Sequence, residues 1–282
     1  MTTTAPRTWF VTGASRGLGR AFTEAALAAG DGVAGAARDV APLADLAAAH
    51  PGRLLPLTLD VTDRAAVRAA VDEAVDHFGR LDVVVNNAGF LAMGMLEEFT
   101  EEEARAQFDT NVFGALWVTQ AVLPHLRARR SGHILQISSI GALAGFAMTG
   151  LYSASKFALE GMSEALAAEA ADFGVKVTIV EPGGYWTDLY TTGLAATEPM
   201  PEYAGLREEL ARRFAEGSVD SLPALAAEAV MKAVDSDDPP LRLLLGSMVY
   251  DVAFATSRQK MDTWAAWEEV SRAAEDPVPQ PC

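Results

Sequence analysis

Tyr152 and Lys156 stand four residues apart in Tyr152-Ser-Ala-Ser-Lys156, thirteen residues beyond Ser139. On a helix, positions i and i+4 share one face, so the ammonium can lie beside the phenol and favour its ionised form. A unit charge at about 4 Å in an effective dielectric of about 20 is worth roughly 4 kcal/mol. That is enough to bring a phenol from about 10 to roughly 7. A hydroxyl tuned in this way exchanges a proton with a substrate oxygen near neutral pH, the proton half of a hydride-transfer reaction.

A second group of residues suits a phosphorylated ligand. Thr12-Gly-Ala-Ser-Arg-Gly-Leu-Gly19 lies between a strand-like run and a helical run. Glycines at 13, 17 and 19 permit a tight turn and close backbone approach to a pyrophosphate, whose charge meets a helix N-terminus. An ordinary strand-to-helix turn is the plainer reading. About twenty residues further on, where a dinucleotide fold reads the adenosine ribose, the chain offers Ala36-Ala37-Arg38-Asp39. An acidic group there suits NAD, whereas arginine accommodates the 2′-phosphate of NADP. Arg38 and Arg16 are a candidate clamp, worth roughly two to four decades of preference for NADP(H) at ~1.5 to 3 kcal/mol per contact; the alternative is two solvated arginines. Asp60, in Leu-Asp-Val-Thr, could accept from an adenine amino group, or Asp60 or Thr62 could cap the next helix. Asn86-Asn-Ala-Gly89 could line the same crevice or simply turn the chain.

Elements able to position these groups alternate along the first two thirds of the chain, as in a parallel sheet covered by helices on both faces. Strands are expected near Thr8–Thr12, Gly32–Ala36, Leu54–Leu59, Val83–Asn86, His133–Ile137, Val175–Val180 and Leu241–Leu245. Helices are expected near Leu18–Ala29, Pro42–His50, Arg64–Phe78, Glu101–Arg129 with a break near Asp109, and Tyr152–Phe173. Gly30, Gly79 and Gly174 follow helical runs where left-handed caps belong. The expected fold is a doubly wound α/β sheet of about seven strands in a single domain over residues 1–282. A substrate lid is expected near 183–216 and a helical C-terminal extension near 247–282.

Composition narrows the function. A formal charge of −16 over 282 residues argues against a nucleic-acid backbone as partner. The lone cysteine, Cys282, allows no internal disulfide, and four scattered histidines lack ligand spacing, so no metal site is expected. No run of about eighteen apolar residues is present, so no membrane span is expected and the expected location is the cytoplasm.

Together, Thr12 to Gly19, Asn86 to Gly89, Asn111, Ser139, Tyr152, Lys156 and Pro182-Gly-Gly-Tyr-Trp-Thr187 resemble the short-chain dehydrogenase/reductase family in its single-domain form. The likeness runs from about Thr8 to Thr187, and Tyr152 to Gly161 resembles members acting on steroids and retinoids. The resemblance implies that Tyr152 is the general acid in reduction and the base in oxidation. Lys156 would support it and hold the nicotinamide ribose, Ser139 would bind the substrate oxygen, and Asn111 would anchor a water leading to Lys156. Cofactor contacts are implied at Gly13, Ser15, Arg16, Gly17, Leu18, Gly19, Arg38, Asp60, Val61, Asn87, Ala88, Gly89, Pro182, Gly183 and Thr187, besides Tyr152 and Lys156. A homodimer or homotetramer, paired through the helices carrying Asn111 and Tyr152, is implied as well.

The expected activity is NADP(H)-dependent interconversion of a ketone or aldehyde with its alcohol. Leu143, Phe146, Met148, Tyr185 and Trp186 lie next to the catalytic strand ends and are expected to form a largely apolar substrate pocket. A cofactor-retaining epimerase or dehydratase, or a cofactor-sensing protein without turnover, are the alternatives.

Overall fold

Runs of Val, Ile and Leu separated by Ala-rich helical runs build a seven-stranded sheet whose pairs are all parallel. The structure, a computed structural model, describes residues 5–187, 189, 193–215 and 221–275, with the backbone alone for 213–215. Cys282 and parts of the expected lid and C-terminal extension lie outside the described residues.

The strands are β1 (Thr8–Thr12), β2 (Gly32–Ala37), β3 (Leu54–Thr58), β4 (Val83–Asn86), β5 (Leu91–Met93), β6 (Gly132–Ile137), β7 (Val175–Pro182), β8 (Leu194–Ala196) and β9 (Arg242–Leu245). Sheet order is β3-β2-β1-β4-β6-β7-β9, while β5 and β8 form a separate parallel pair. The helices are α1 (Gly17–Ala28), α2 (Ala44–Ala49), α3 (Arg64–Phe78), α4 (Glu101–Phe108), α5 (Ala115–Arg129), α6 (Gly150–Ala170), α7 (Ala204–Ala215), α8 (Pro223–Asp235), α9 (Ser247–Ala266) and α10 (Glu268–Ala273).

Side chains alternate across the sheet with the period of two that strands impose. Trp9 and Val11 of β1 pack with Phe22 and Ala26 of α1 and Val230 of α8. Phe10, between them, packs with Val67 and Val71 of α3 and Val122 of α5 on the opposite face. Local signals set the helix ends. Asp63 caps α3 by accepting from the amides of Ala65 and Ala66, and Gly79 closes it in the left-handed region at φ +75°. Thr100 and Glu103 form a reciprocal capping box at the start of α4.

The expected break near Asp109 is a single π-helical stretch, Asp109–Gly114, joining α4 to α5. Wide turns of this kind re-aim side chains, and this one buries Asn111. Three features depart from the sequence expectations. The three-residue strands β5 and β8 are too short to show a period. No helix was expected over α8, which covers the sheet beside α1. The C-terminal run divides at Trp267 into α9 and α10.

Because β1 lies between β2 and β4, the chain winds outward in both directions from this pair and leaves a crevice at their C-terminal ends. Thr12 ties the two ends together. Its hydroxyl donates to the Val85 carbonyl at 3.2 Å and accepts from the amides of Asn87 and Ala88 at 2.9 and 3.0 Å. Thr12→Val keeps the shape and removes all three bonds, so we expect a loss of about 1–3 kcal/mol of stability, measured as a lower urea midpoint at unchanged m-value.

Candidate active site

Tyr152 and Lys156 lie on the buried face of α6, as their spacing requires, with the Lys156 ammonium 5.7 Å from the Tyr152 ring centroid. Lys156 is 5% exposed. Its Nζ donates to the Ile137 carbonyl at the end of β6 at 2.7 Å. Burial pushes this ammonium down to about 8, and the Glu160 carboxylate one turn along α6 opposes the shift.

Ser139 follows β6 and caps the short 3₁₀ turn Ile140–Ala142, its Oγ accepting from the Gly141 amide at 3.1 Å. That bond occupies a lone pair and leaves the hydroxyl proton available. Gly141 also lies against the Tyr152 ring, so a Cβ there would stand 3.3 Å from Cε1. Ser139 and Tyr152 thus flank one glycine. The neighbouring Ser138 turns away, donating to Glu160 Oε1 at 2.6 Å.

Asn111 is held on both amide atoms. Its Oδ1 accepts from the Phe90 amide at 3.1 Å, while Nδ2 donates to the Phe90 carbonyl at 3.1 Å and to Ser155 Oγ at 3.2 Å. Ser155 in turn donates to the Tyr152 carbonyl at 2.7 Å. A Cβ on Gly89 would stand 3.1 Å from Asn111 Oδ1 and 3.8 Å from Lys156 Nζ. Gly89 therefore brings the loop after β4 to the same two side chains.

The glycine turn after β1 fits a pyrophosphate. Gly13 and Gly17 have φ of +64° and +55°, conformations that favour glycine. A Cβ at Gly13 would meet Asn87 Nδ2 at 2.8 Å, and one at Gly19 would collide with the Gly13 carbonyl oxygen. The N-terminus of α1 carries no side-chain cap and no acidic residue in its first turn, which leaves backbone donors and the positive helix end for an anion. Thr187 reaches this turn from beyond β7, its Cβ 3.3 Å from where a Gly17 Cβ would be. Ser15 and Leu18 are half-buried within the turn, and Arg16 is exposed at its edge.

Other expected contacts divide. Arg38 is exposed immediately after β2, while Asp39 accepts from the Ala41 amide at 2.9 Å. Asp60 Oδ1 is engaged by the Thr62 amide and hydroxyl at 3.0 and 2.8 Å. Capping of α3 falls to Asp63 and not to Asp60 or Thr62. Val61 packs in the core against Gly114, and Ala88 borders the same core. Asn86 turns into the protein to Thr119 Oγ1 at 3.1 Å, whereas Asn87 Nδ2 donates to the Thr12 carbonyl at 2.9 Å. Pro182 ends β7, and the Gly183 amide bonds the Leu245 carbonyl at 3.2 Å.

Among the expected pocket residues, Leu143, Phe146 and Met148 follow the 3₁₀ turn Ile140–Ala142, Leu143 and Met148 half-buried and Phe146 exposed. Met148 adopts φ +69° and accepts from the Gly94 amide at 2.8 Å. Tyr185 is buried and belongs to the core cluster that includes Ala226, Ala227 and Val230 of α8. Trp186 is 76% exposed. Helix α9 borders this region, with Val249 against Gly183 and Lys260 Nζ 3.4 Å from the Leu143 carbonyl.

Several contributors carry no sequence signal of their own. Gln107 fixes the chain around Phe90 to Ala92 through both ends of its amide. Glu98 fastens the segment around β8 and α7: its carboxylate accepts from the amides of Met95 and Met200 at 2.7 and 2.9 Å, from Thr197 Oγ1 at 2.8 Å, and from Arg207. Burial alone would raise this acid, but these four donors outweigh it and hold Glu98 at about 2.

Residues 7–196 match the family described as short chain dehydrogenase. The oxidoreductase BOA17 of Botryotinia fuckeliana is 39% identical over 270 residues, covering 94% of this chain and 98% of that protein. A 3-ketodihydrosphingosine reductase of Bacteroides thetaiotaomicron is 37% identical over 261 residues, covering 90% and 92%. The crystal structure of a short-chain dehydrogenase from Streptomyces avermitilis superposes with a TM-score of 0.90 at 43% identity, covering 96% of this chain and all of that one. Two further solved neighbours carry dinucleotides. One from Burkholderia cenocepacia holds NADP (27% identity, TM-score 0.74, 94% and 98% covered). One from Burkholderia phymatum holds NAD (24%, 0.78, 99% and 100%). The chain belongs to the short-chain dehydrogenase/reductase family and is an oxidoreductase of that class.

Glu98 has a folded value below its ordinary one, so the stability it contributes is present above pH about 4.5 and is lost as pH falls toward 2. Glu98→Gln discards that charge. Faster hydrogen exchange across Leu194–Ala196 and α7, with the central sheet unchanged, is the expected result.

Proposed function

We propose that this protein is an NADP(H)-dependent oxidoreductase that interconverts an apolar ketone or aldehyde with its alcohol, using Tyr152 as the acid and base. The observation that carries the reading is the Lys156 ammonium buried beside the Tyr152 ring while anchored on the Ile137 carbonyl. When bound, the nicotinamide cofactor supplies or accepts the hydride.

The protein's own residues handle the proton and the geometry. In reduction, Tyr152 gives its proton to the substrate oxygen, and the adjacent cation stabilises the phenolate left behind. In oxidation the same oxygen takes the proton back. Ser139 donates to the substrate oxygen, since its lone pair is already engaged by the Gly141 amide. Asn111 holds the Phe90 backbone and, through Ser155, the start of α6, which keeps Tyr152 and Gly89 in fixed relation.

The uncapped start of α1, with Gly13, Gly17 and Gly19, would take the pyrophosphate. Arg38 and Arg16 would take the 2′-phosphate. Asp39 supports this preference, because its carboxylate is turned onto its own backbone and Arg38 stands exposed at the end of β2. The apolar substrate follows from Leu143, Phe146 and Met148 beside the catalytic turn. The relative named 3-ketodihydrosphingosine reductase is in keeping with a keto substrate.

Tyr152→Phe tests the acid–base role: turnover should fall by about 10²- to 10⁴-fold while NADPH binding, followed by fluorescence titration, is retained. Normal turnover in that variant overturns the assignment. Arg38→Glu tests cofactor choice. The NADPH/NADH ratio of kcat/KM should fall by roughly two decades, and an unchanged ratio removes Arg38 from the site.

A further inference from the structure

Directly behind the catalytic lysine lies a cluster of charge that the proposed reaction does not use. Lys156, Glu160 and Glu164 follow one another at four-residue intervals along α6. Glu160 is buried, with Oε1 taken by the buried Ser138 hydroxyl at 2.6 Å and Oε2 3.3 Å from Arg242. Arg242, on the edge strand β9, also meets Glu164 at 2.5 Å and Glu181 of β7 at 3.3 Å. Glu181 has no exposed surface, and among the described residues neither of its carboxylate oxygens accepts a hydrogen bond. One half-exposed arginine therefore serves three carboxylates.

An ammonium withdrawn from water needs a counter-charge to stay ionised. The Ile137 carbonyl offers Lys156 a dipole but no charge. Of the charged groups on the elements packed here, Glu160 is the one whose field acts on Lys156; Tyr152 and Glu164 share its helix, while Glu181 on β7 and Arg242 on β9 bear on Glu160. Ser138 and Asn111 add neutral dipoles. Glu160 is one helical turn away and fixed from two sides, so its charge cannot swing off toward solvent.

We propose that Glu160 is a positioning residue for the active site: pinned by Ser138 and Arg242, it is the counter-charge that keeps the buried Lys156 protonated. The inference rests on the reading of Lys156 as the partner of Tyr152. Glu181 sharpens the arrangement. Burial first, and the Glu160 charge second, push it up to about 7 against the pull of Arg242. At lower pH it is protonated and leaves Arg242 to Glu160 and Glu164.

The chain has only four lysines, at 156, 176, 232 and 260, so a ¹³C-lysine NMR titration resolves Lys156 directly, its resonance being the one missing from Lys156→Arg. In the wild type Lys156 should lose its proton near 8. In Glu160→Gln the midpoint should fall by at least about one pH unit, Glu160→Asp should lie between the two, and Glu164→Gln should match the wild type. An unmoved midpoint in Glu160→Gln, or an equal shift in Glu164→Gln, overturns the proposal. Should Glu160→Gln fail to fold, Glu160→Asp decides alone, since a midpoint identical to wild type overturns it.

The basic limb of the kcat/KM profile should move with the NMR midpoint. The titration needs no substrate, so it stands apart from the assigned activity. A shifted lysine in a protein that reduces no carbonyl would retire the proposed function and keep this inference, whereas an unshifted lysine in an active enzyme would do the reverse.

Discussion

A cation held out of water beside a phenol is the constraint around which this site is arranged. Desolvation works against the Lys156 charge, and the fold answers with the Ile137 carbonyl at the end of β6 and the Glu160 carboxylate on the same helix. Both depend on how α6 lies across the strand ends. A small rotation of the helix would carry the ammonium off the carbonyl and swing Tyr152 away from the strand ends with it. Tyr152, Ser155, Lys156 and Glu160 thus stand together among the buried residues of α6.

The second constraint is closeness of backbone. At the switch between β1 and β4, Thr12 and Asn87 bind the two strand ends so tightly that Gly13 and Gly19 have no room for a side chain. The same tightness points the uncapped start of α1 into the crevice. An acidic protein can thereby offer an anion a local positive field that its net charge would oppose. Glu98 plays a comparable part around β8 and α7, where a single buried carboxylate gathers donors from Met95, Thr197, Met200 and Arg207.

Much of this was legible in the sequence. The seven sheet strands matched their expected places to within one residue at each end, apart from the two-residue extension of β7 to Pro182. Parallel strands buried on both faces produce continuous apolar runs, and their helices produce an amphipathic period. The Tyr152 and Lys156 pairing was legible because helix geometry alone brings i and i+4 together. Asn111 could be placed on a break but not aimed, since the π-helical stretch that aims it depends on packing. Tyr185 could be placed beside a strand end, but not its burial in a core cluster shared with α8, a helix that no pattern announced.

What the sequence determined by itself is whatever is local: periodicity, caps, glycine turns and the side chains that share one helix face. The tertiary structure alone decided the partners separated by long stretches of chain, such as Arg242 with Glu160 and Glu181, Glu98 with Arg207, and Thr187 with Gly17. The physical reason is that local backbone geometry fixes distances over four or five residues. An ion pair across about eighty residues exists only once the sheet order has placed β7 and β9 beneath α6.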